Sequence, residues 1–439
     1  MRGIGELGGL RWPRMGALVL AAGLGAAAGA ASALTGFVSP LVAGGLGAGA
    51  SVLALGGQVQ WERRQELARA DAAWRGAVLD GPAGGPGRGG AAVGGVVHAV
   101  NPDEQVVPFS PLRRAELQRL LGWCRTSAGG GVWLVTGGAG SGKTRLLIEA
   151  AHRLTAHGWE CGWVRHGQAQ AAALAALARP GRVLLVVDDV EASPRQQEDL
   201  AAMLTTLASA EVSRVSLVLC GREFGTWWAQ LRAALDPAHH AALTPAGSTT
   251  LTSTLAAPVD QPQLFAAAVH HYARRFARTV AAPAPSLTGI PAGVSLGEIH
   301  AAAAITAHDG LAGPVDFAAA LERLFTAEET WWQANAAAQQ PPVSLSLLQL
   351  RAAVTAATLI GAGSLEQAVR RLACLPGMTA TTARARTETA LWLHQLYAQR
   401  AGQWLDPHLP AHLAERYAAL CAAAQPALPG ALASAALTA

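Results

Sequence analysis

The feature that most constrains this chain is a glycine-rich octapeptide, Gly137-Gly-Ala-Gly-Ser-Gly-Lys143-Thr144. It follows an apolar run, Val132-Trp-Leu-Val135, and precedes a helix-compatible stretch from Arg145 to His157. Every fixed position of the pattern G-x-x-x-x-G-K-[ST] is filled, in the strand–loop–helix context that the pattern requires. Glycines let consecutive backbone N–H groups curl around phosphate oxygens, and the helix N-terminus adds positive potential. The motif predicts a P-loop that binds a nucleoside triphosphate.

Two side chains of this motif have distinct expected roles. Lys143 is expected to reach the β- and γ-phosphates, and the Thr144 hydroxyl is expected to ligate Mg²⁺. ATP is the expected nucleotide, although the motif does not discriminate it from GTP. The residues predicted to bind the nucleotide are Gly137, Gly138, Ala139, Gly140, Ser141, Gly142, Lys143, Thr144 and Arg145.

An acidic pair supplies the second half of the predicted site. The run Arg182-Val-Leu-Leu-Val-Val-Asp188-Asp189 predicts a strand buried on both faces, ending at the carboxyl edge of the sheet beside the phosphates. We assign Asp188 to the metal and Asp189 to the attacking water, with Glu191 as a weaker candidate. The structural alternative is an Asp-Asp pair that caps the strand, and it suits Asp189 about as well as catalysis does.

A third predicted strand, Val215-Ser-Leu-Val-Leu-Cys-Gly-Arg222-Glu223, ends in an arginine. Arg222 is placed to sense or neutralise the γ-phosphate, and its alternative is a surface ion pair with Glu223. The Trp227-Trp228 pair that follows is expected to pack at an interdomain seam. The predicted catalytic residues are thus Lys143, Asp188, Asp189 and Arg222, and the predicted metal ligands are Thr144 and Asp188.

The body of the chain alternates strands with helices. Apolar runs predict strands at 132–136, 161–164, 183–187, 215–219 and 249–254, and helices at 111–124, 143–157, 169–178, 196–208 and 226–234. This alternation predicts an α/β domain with a mainly parallel sheet over residues 106–258. From Asp260 onward helix follows helix, which predicts an all-α region over residues 259–424. Residues 425–439 are predicted to form a frayed, low-complexity tail.

The N-terminal segment is apolar enough for a membrane. No charged residue occurs between Met15 and Trp61, which is long enough for two spans of about 20 residues. We predict a transmembrane hairpin over residues 1–59, with spans at 15–34 and 40–58. Residues 60–105 are predicted to form a juxtamembrane helix and a Gly/Pro-rich linker.

Arginines flank both outer ends of this hairpin: Arg2, Arg11, Arg14, Arg63 and Arg64. The charge pattern predicts cytoplasmic termini and a cytoplasmic body on a two-span protein of the cell membrane. Two alternatives are a cleaved export signal behind Ala31-Ser-Ala33 and a single long tilted span. Both would place the P-loop outside the cell, away from ATP.

Composition narrows the choice of partners. Charged residues make up only 14% of the chain and hydrophobic residues 51%, which is consistent with membrane contact. The net charge is +4, and the arginines are scattered rather than gathered into a basic arm, so no nucleic-acid partner is expected. The five cysteines show no CxxC or zinc spacing, which favours reduced thiols.

Several of these segments together resemble one known class. Residues 108–116, the P-loop, Leu184-Leu-Val-Val-Asp-Asp and Leu217-Val-Leu-Cys-Gly-Arg with the Trp pair look like STAND-class P-loop ATPases. These are relatives of NACHT and NB-ARC proteins from high-GC Gram-positive bacteria, often fused to tetratricopeptide repeats. The likeness is good over residues 106–240. It continues more weakly to about 420, through landmarks of a helical and winged-helix portion at 299–303, 328–332 and 403–410.

The resemblance implies a mechanism and site residues. It implies that ATP holds the nucleotide domain and a helical arm in one of two arrangements, and that exchange or hydrolysis switches signalling or assembly. The implied phosphate, metal and sensor roles fall on the residues already assigned above. Three departures stand out: the chain ends near where repeats would begin, it carries the added hairpin, and it has no convincing Met-His-Asp motif. His408 and His412 are loose candidates for that motif and are expected to be ordinary surface histidines.

The favoured hypothesis is a membrane-anchored regulatory ATPase with slow turnover, whose nucleotide state controls a protein partner or self-assembly. The first alternative is a membrane-bound scaffold in which hydrolysis is negligible. A less favoured alternative is a transporter motor or an AAA+ remodeller. The chain has no LSGGQ-like signature for the first of these and no identifiable arginine finger for the second.

Overall fold

The structure, a computed structural model, describes residues 68–80, 95–126, 131–165, 167–188, 190, 194–210, 214–223, 225–235, 237–240, 245–252, 260–280, 282–396, 404–405 and 409–437. The predicted spans at 15–34 and 40–58 and most of the predicted linker lie outside these residues. In the part of the chain that is described, no helix has both the length and the apolar character needed to cross a bilayer.

Six strands form one sheet in the order β1-β3-β4-β5-β2-β6. They are β1 Val78–Asp80, β2 Gly131–Gly137, β3 Glu160–Val164, β4 Val183–Val187, β5 Val215–Gly221 and β6 Gly247–Leu251. All neighbours are parallel except β1, which pairs antiparallel with β3. The predicted parallel α/β sheet is therefore confirmed. Since β5 lies between β2 and β4, the strand ends that carry the three groups of predicted site residues lie side by side.

The helices that follow β1 are numbered in chain order. They are α1 Val96–Val100, α2 Arg114–Thr126, α3 Lys143–Thr155, α4 Ala169–Leu177, α5 Pro194–Ser209, α6 Thr226–Ala233, α7 Asp260–Arg275, α8 Leu296–Asp309, α9 Phe317–Ala337, α10 Leu347–Ile360, α11 Leu365–Ala373, α12 Ala383–Leu396, α13 Ala411–Ala424 and α14 Leu428–Leu437.

Strand periodicity builds the two cores of the sheet. Successive side chains of a strand point to opposite faces. Leu184 and Val186 of β4 accordingly pack with α2 and α3, whereas Val183, Leu185 and Val187 pack with α4, α5 and α6. All five residues of β4 are buried, as its continuous apolar run predicts for a central parallel strand.

The second half of the described chain is mainly helical, as expected, and encloses its own core. It is not wholly helical, because β7 (Ser286–Thr288) pairs in parallel with β8 (Pro314–Asp316). The prediction of a frayed tail is wrong, since residues 428–437 form α14 and Leu428 is fully buried. A run of alanine and leucine looks unstructured by composition, yet it forms a stable helix once a neighbouring core covers its apolar face.

A buried ionic network stabilises this helical region. Glu329 accepts two hydrogen bonds from Arg351, at 2.7 and 2.9 Å, and one from the Tyr417 hydroxyl at 3.0 Å. Such a planar, two-bond pairing is strong, and losing one partner would leave a buried charge unpaired. Glu329 belongs to the predicted landmark at 328–332, which is therefore part of the packing of α9 against α10 and α13.

Folded structure begins earlier than the predicted boundary near Val106. Residues 78–80 add the edge strand β1 to the sheet, and α1 packs into the helical core. The first turn of α1 is held by Glu328, whose Oε2 accepts the Val97 N–H at 3.1 Å. A short apolar segment next to a glycine-rich stretch gives little local signal, so only the tertiary contacts reveal it.

Candidate nucleotide-binding site

The glycine-rich loop connects the end of β2 to the first turn of α3. Gly142 caps α3 with φ of 95°, a left-handed conformation that only glycine adopts without a Cβ penalty. The Ser141 N–H donates to the Gly138 carbonyl at 3.2 Å, and the Gly137 N–H donates to the Arg222 carbonyl at 3.0 Å. The loop thus curls ahead of a helix N-terminus, where exposed amides and the helix dipole favour anions.

Lys143 is the only lysine in the 439-residue sequence, although lysine and arginine together number 33. Its Nζ donates to the Gly137 carbonyl at 2.7 Å and to the Gly138 carbonyl at 3.2 Å. The ammonium group therefore lies over the start of the loop, where a bound phosphate would meet it. A compact ammonium and a planar guanidinium are not interchangeable in such a place. This gives a physical reason why lysine occurs here and arginine elsewhere.

Thr144 and Asp188 come together as a pair of oxygen ligands. Thr144 lies in the first turn of α3, and Asp188 follows the last residue of β4. The Thr144 hydroxyl donates to Asp188 Oδ2 at 3.0 Å. A hydroxyl and a carboxylate at this separation suit Mg²⁺, which takes few protein ligands and completes its shell with phosphate oxygens and water. Asp189 and Glu191 lie outside the described residues, so their roles stay predictions.

Arg222 follows β5 at the same edge of the sheet. Its Nη1 lies 2.7 Å from Glu415 Oε1 of α13, and both side chains are more than half exposed. Sequence proximity does not indicate Glu415 as a partner of Arg222, because α13 comes beside the end of β5 only in the folded chain.

Arg145 turns away from the loop along α3. Its guanidinium stacks on the Phe109 ring at 5.7 Å and lies 3.4 Å from Glu149. Burial lowers the pKa of Arg145, while Glu149 opposes that shift. Arg145 therefore packs beside the segment that leads into α2.

The helical region touches the nucleotide loop directly. The Gly297 N–H, in the first turn of α8, donates to the Gly140 carbonyl at 3.0 Å. A Cβ added at Gly140 would lie 2.4 Å from Ser295 Oγ and 3.1 Å from His412 Cβ. Gly140 is therefore needed for this close approach as well as for its φ of 73°. The loop has one face toward the site and another against α8 and α13.

His412 is not an ordinary surface histidine. It lies against Gly140 and Gly297, and its Nε2 is buried without a hydrogen-bond partner among the described residues. Burial lowers its pKa to about 4, against an opposing effect of Glu298. His300 of α8 also has a pKa lowered to about 4, first by burial and then because His412 and Arg145 nearby disfavour another positive charge. Both rings are thus neutral at physiological pH.

The sequence analysis did not predict the contact of α8 and α13 with the P-loop. Only the start of α8 has a recognisable sequence pattern. Ser295-Leu-Gly-Glu298 is a capping box, with the Ser295 hydroxyl accepting the Glu298 N–H at 3.3 Å. That pattern predicts a helix start. Nothing in the sequence ties this helix start to the P-loop. His408, the other histidine considered, lies outside the described residues.

Among the comparisons with known proteins, one family model matches the part of the chain that holds this site. Residues 110–235 match the model of a family described as Novel STAND NTPase 5. The search of curated proteins found no match.

Solved structures with a similar chain path include three of low identity. PCH-2 of C. elegans has 12% identity and a TM-score of 0.34, covering 54% of this chain and 73% of that one. ORC1 of Aeropyrum pernix, in complex with DNA, has 15% identity and a TM-score of 0.35, covering 75% and 96%. Cdc6p of Pyrobaculum aerophilum has 15% identity and a TM-score of 0.31, covering 79% and 90%. These similarities carry no functional argument. The sheet, its glycine-rich loop and the family match together support a STAND-type, nucleotide-binding P-loop NTPase domain over residues 110–235.

Proposed function

We propose that this chain is a membrane-anchored regulatory switch that binds ATP with Mg²⁺ and hydrolyses it slowly. The observation that carries the proposal is the hydrogen bond from the Gly297 N–H to the Gly140 carbonyl. It joins the helical region to the loop that would hold the phosphates. A change in the loop conformation on nucleotide binding would therefore alter this contact with α8 directly.

The chemistry assigned to the site follows from the pairs described above. Lys143 would neutralise the β- and γ-phosphates, Thr144 and Asp188 would hold Mg²⁺, and Asp189 would orient the attacking water. Mg²⁺ would supply charge neutralisation at the phosphates. With few covalent demands on the protein, positioning of these groups would determine the rate.

Arg222 is the residue through which the protein would detect the γ-phosphate. A ligand shifts an equilibrium between two arrangements only if it interacts differently with them. In the arrangement described, Arg222 is paired with Glu415 of α13. A γ-phosphate would compete with that carboxylate for the guanidinium, whereas ADP would not. ATP would thereby favour an arrangement in which α13 is released.

The apolar segment supports the membrane part of the proposal. Residues 15–58 carry no charge, and arginines flank both ends, which favours a two-span hairpin with the NTPase body in the cytoplasm. Membrane fractionation of the full chain and of a variant lacking residues 15–58 tests this. Recovery of the full chain in the soluble fraction would contradict it.

The sole lysine gives a direct test of nucleotide binding. An amine-reactive label, mapped by peptide mass spectrometry, can modify only Lys143 and the chain N-terminus. We expect ATP–Mg²⁺ to protect Lys143 and leave the N-terminal amine reactive. Equal labelling with and without ATP, ADP and GTP would contradict the proposal.

Phosphate release separates the switch from the scaffold alternative. We expect slow, Mg²⁺-dependent release from the full chain and a further loss of rate in Asp189→Asn. ATP protection of Lys143 without measurable release in either protein would favour a scaffold.

Hydrogen exchange of residues 295–300 and 411–416 reports whether α8 and α13 lie against the P-loop. We expect faster exchange with a non-hydrolysable ATP analogue than with ADP.

A further inference from the structure

Arg113 is a buried arginine that none of the roles above uses. Ser110 starts a short 3₁₀ turn, Pro111–Arg113, and its hydroxyl accepts the Leu112 N–H at 3.3 Å. This turn directs the Arg113 side chain inward, where the residue is only 7% exposed. Because arginine is rarely buried unless its guanidinium is paired, its partners indicate its role.

The Arg113 guanidinium joins two backbone carbonyls from different elements. Its Nη2 donates to the Ser141 carbonyl in the P-loop at 3.2 Å and to the Thr252 carbonyl, just past β6, at 2.6 Å. Glu116, in the first turn of α2, lies 3.5 Å from Nη1 and balances part of the charge. One buried cation thus holds the nucleotide loop to the strand that leads toward the helical region.

The orientation of the Ser141 carbonyl sets the orientation of an amide. A phosphate cradle needs N–H groups that point into the loop, and the carbonyls between them then point outward and require donors. In a trans peptide the C=O and the following N–H point in opposite directions. A donor that holds the Ser141 carbonyl outward therefore turns the Gly142 N–H inward, toward the place of the phosphate.

We propose that Arg113 is a positioning residue that presets the P-loop for phosphate binding. It does not touch the nucleotide and acts through the Ser141–Gly142 peptide. Without it, the loop would have to pay the cost of ordering this peptide when the nucleotide arrives. This assignment rests on the proposed nucleotide binding.

The adjacent Arg114 provides a matched control, because it carries the same side chain in an exposed position. We would measure the Kd for ATP–Mg²⁺ by calorimetry on the full chain and on Arg113→Met, Arg113→Lys and Arg114→Met. Methionine keeps the packing of the side-chain stem but donates no hydrogen bond, and lysine keeps one charged donor. The melting temperature without nucleotide is recorded for each variant.

We expect Arg113→Met to raise the Kd by about tenfold or more, as loss of a charged hydrogen bond implies. Arg113→Lys should raise it less, and Arg114→Met should leave it unchanged. A purely structural residue would lower the melting temperature and leave the Kd of the folded protein as in the wild type. That result would overturn the assignment. If Arg113→Met does not fold, a Kd for Arg113→Lys equal to that of the wild type overturns it.

The failure of the assignment is distinguishable from failure of the proposed function. If the wild-type chain binds neither ATP nor GTP, the proposed function falls and the assignment falls with it. If the wild type binds and Arg113→Met binds equally well, only the assignment falls.

Discussion

The P-loop has an inner face, toward the nucleotide site, and an outer face, toward the helical region, and the two are built in different ways. The face toward the site is made of consecutive residues, 137–144. It is held by the Ser141–Gly138 backbone bond and Lys143 within the loop, and by the Arg222 carbonyl and Arg113 from outside it. The face toward the helical region is covered by Ser295, Gly297 and His412, which come from α8 and α13, distant in the chain. The first face should keep its shape in almost any arrangement of the protein. The second depends on contacts with α8 and α13, so substitutions on the two faces should differ in their effects.

The largest effect is expected on the inner face. Lys143→Ala should weaken ATP–Mg²⁺ binding by about 100-fold, because a charge-assisted contact to phosphate is lost. Calorimetry on the full chain measures this. Docking should be unaffected, so hydrogen exchange of residues 411–416 without nucleotide should match the wild type. Unchanged ATP affinity would remove the assignment of the loop as a nucleotide site.

Alanine substitution at Gly140 and at Gly142 distinguishes the contributions of the two faces. Both Gly140 and Gly142 have positive φ, so either change strains the backbone by about 1–2 kcal/mol. Only at Gly140 would the new Cβ also meet Ser295 and His412, whereas at Gly142 it would meet open space. Gly140→Ala should therefore lower the melting temperature more than Gly142→Ala does.

Gly142→Ala serves as the matched control for this prediction. Hydrogen exchange at α13 should rise in Gly140→Ala and not in Gly142→Ala. Equal exchange in the two variants would show that the outer face does not depend on close approach at Gly140.

Acidification should loosen the outer face. His300 and His412 have pKa values of about 4 in the folded chain, below the usual 6.5. Between pH 6.5 and 4 the unfolded chain therefore binds more protons than the folded chain, so stability falls as pH falls through this window and levels off below it. The loss of folding free energy is at most about 1.4 kcal/mol per pH unit for each histidine. Partial exposure reduces the expected loss to about 1–2 kcal/mol in total between pH 7 and 5.

Thermal unfolding at pH 7 and pH 5 measures that loss. His300→Gln and His412→Gln should each flatten the dependence on pH, whereas His157→Gln, at an exposed position beyond α3, should not. A pH dependence that is the same in all four proteins would contradict the prediction.

The smallest effect is expected at the exposed ion pair. Glu415→Gln removes the carboxylate that pairs with Arg222 and should destabilise docking by about 0.2–1 kcal/mol, the range for exposed pairs. If Arg222 reads the γ-phosphate, the same change should strengthen ATP binding by up to about fivefold and leave ADP binding unaltered. Glu366→Gln breaks the exposed pair with Arg370 instead and serves as the control. An equal gain for ADP would contradict the sensor role.

The inner face of the P-loop could be predicted from the sequence to a greater extent than the outer face, and the reasons are physical. The P-loop, the buried run of β4 and the approach of Asp188 to Thr144 follow from local pattern, because period, glycine spacing and strand direction determine them. The parallel α/β sheet and the helical C-terminal region were predictable on the same grounds. Asp189 and the membrane hairpin stay predictions, since they lie outside the described residues.

The remaining features depend on contacts between distant residues. No local rule connects Gly140 to Gly297 or Arg222 to Glu415, since the residues of each pair are far apart in the sequence and meet only in the folded chain. The edge strand β1 and helix α1 were missed for a related reason. Each is too short to show a period, and tertiary contacts alone stabilise them.

The path of the backbone limits how the helical region can move. Along the described residues the chain passes from the sheet to the helical core between β1 and α1, returns between α1 and α2, and leaves again between β6 and α7. A body held at three points cannot drift away as one on a single linker can. Its position relative to the sheet is therefore constrained at three places along the chain. If the proposed switch operates, this connectivity favours a small reorientation of the helical region over its complete separation from the sheet.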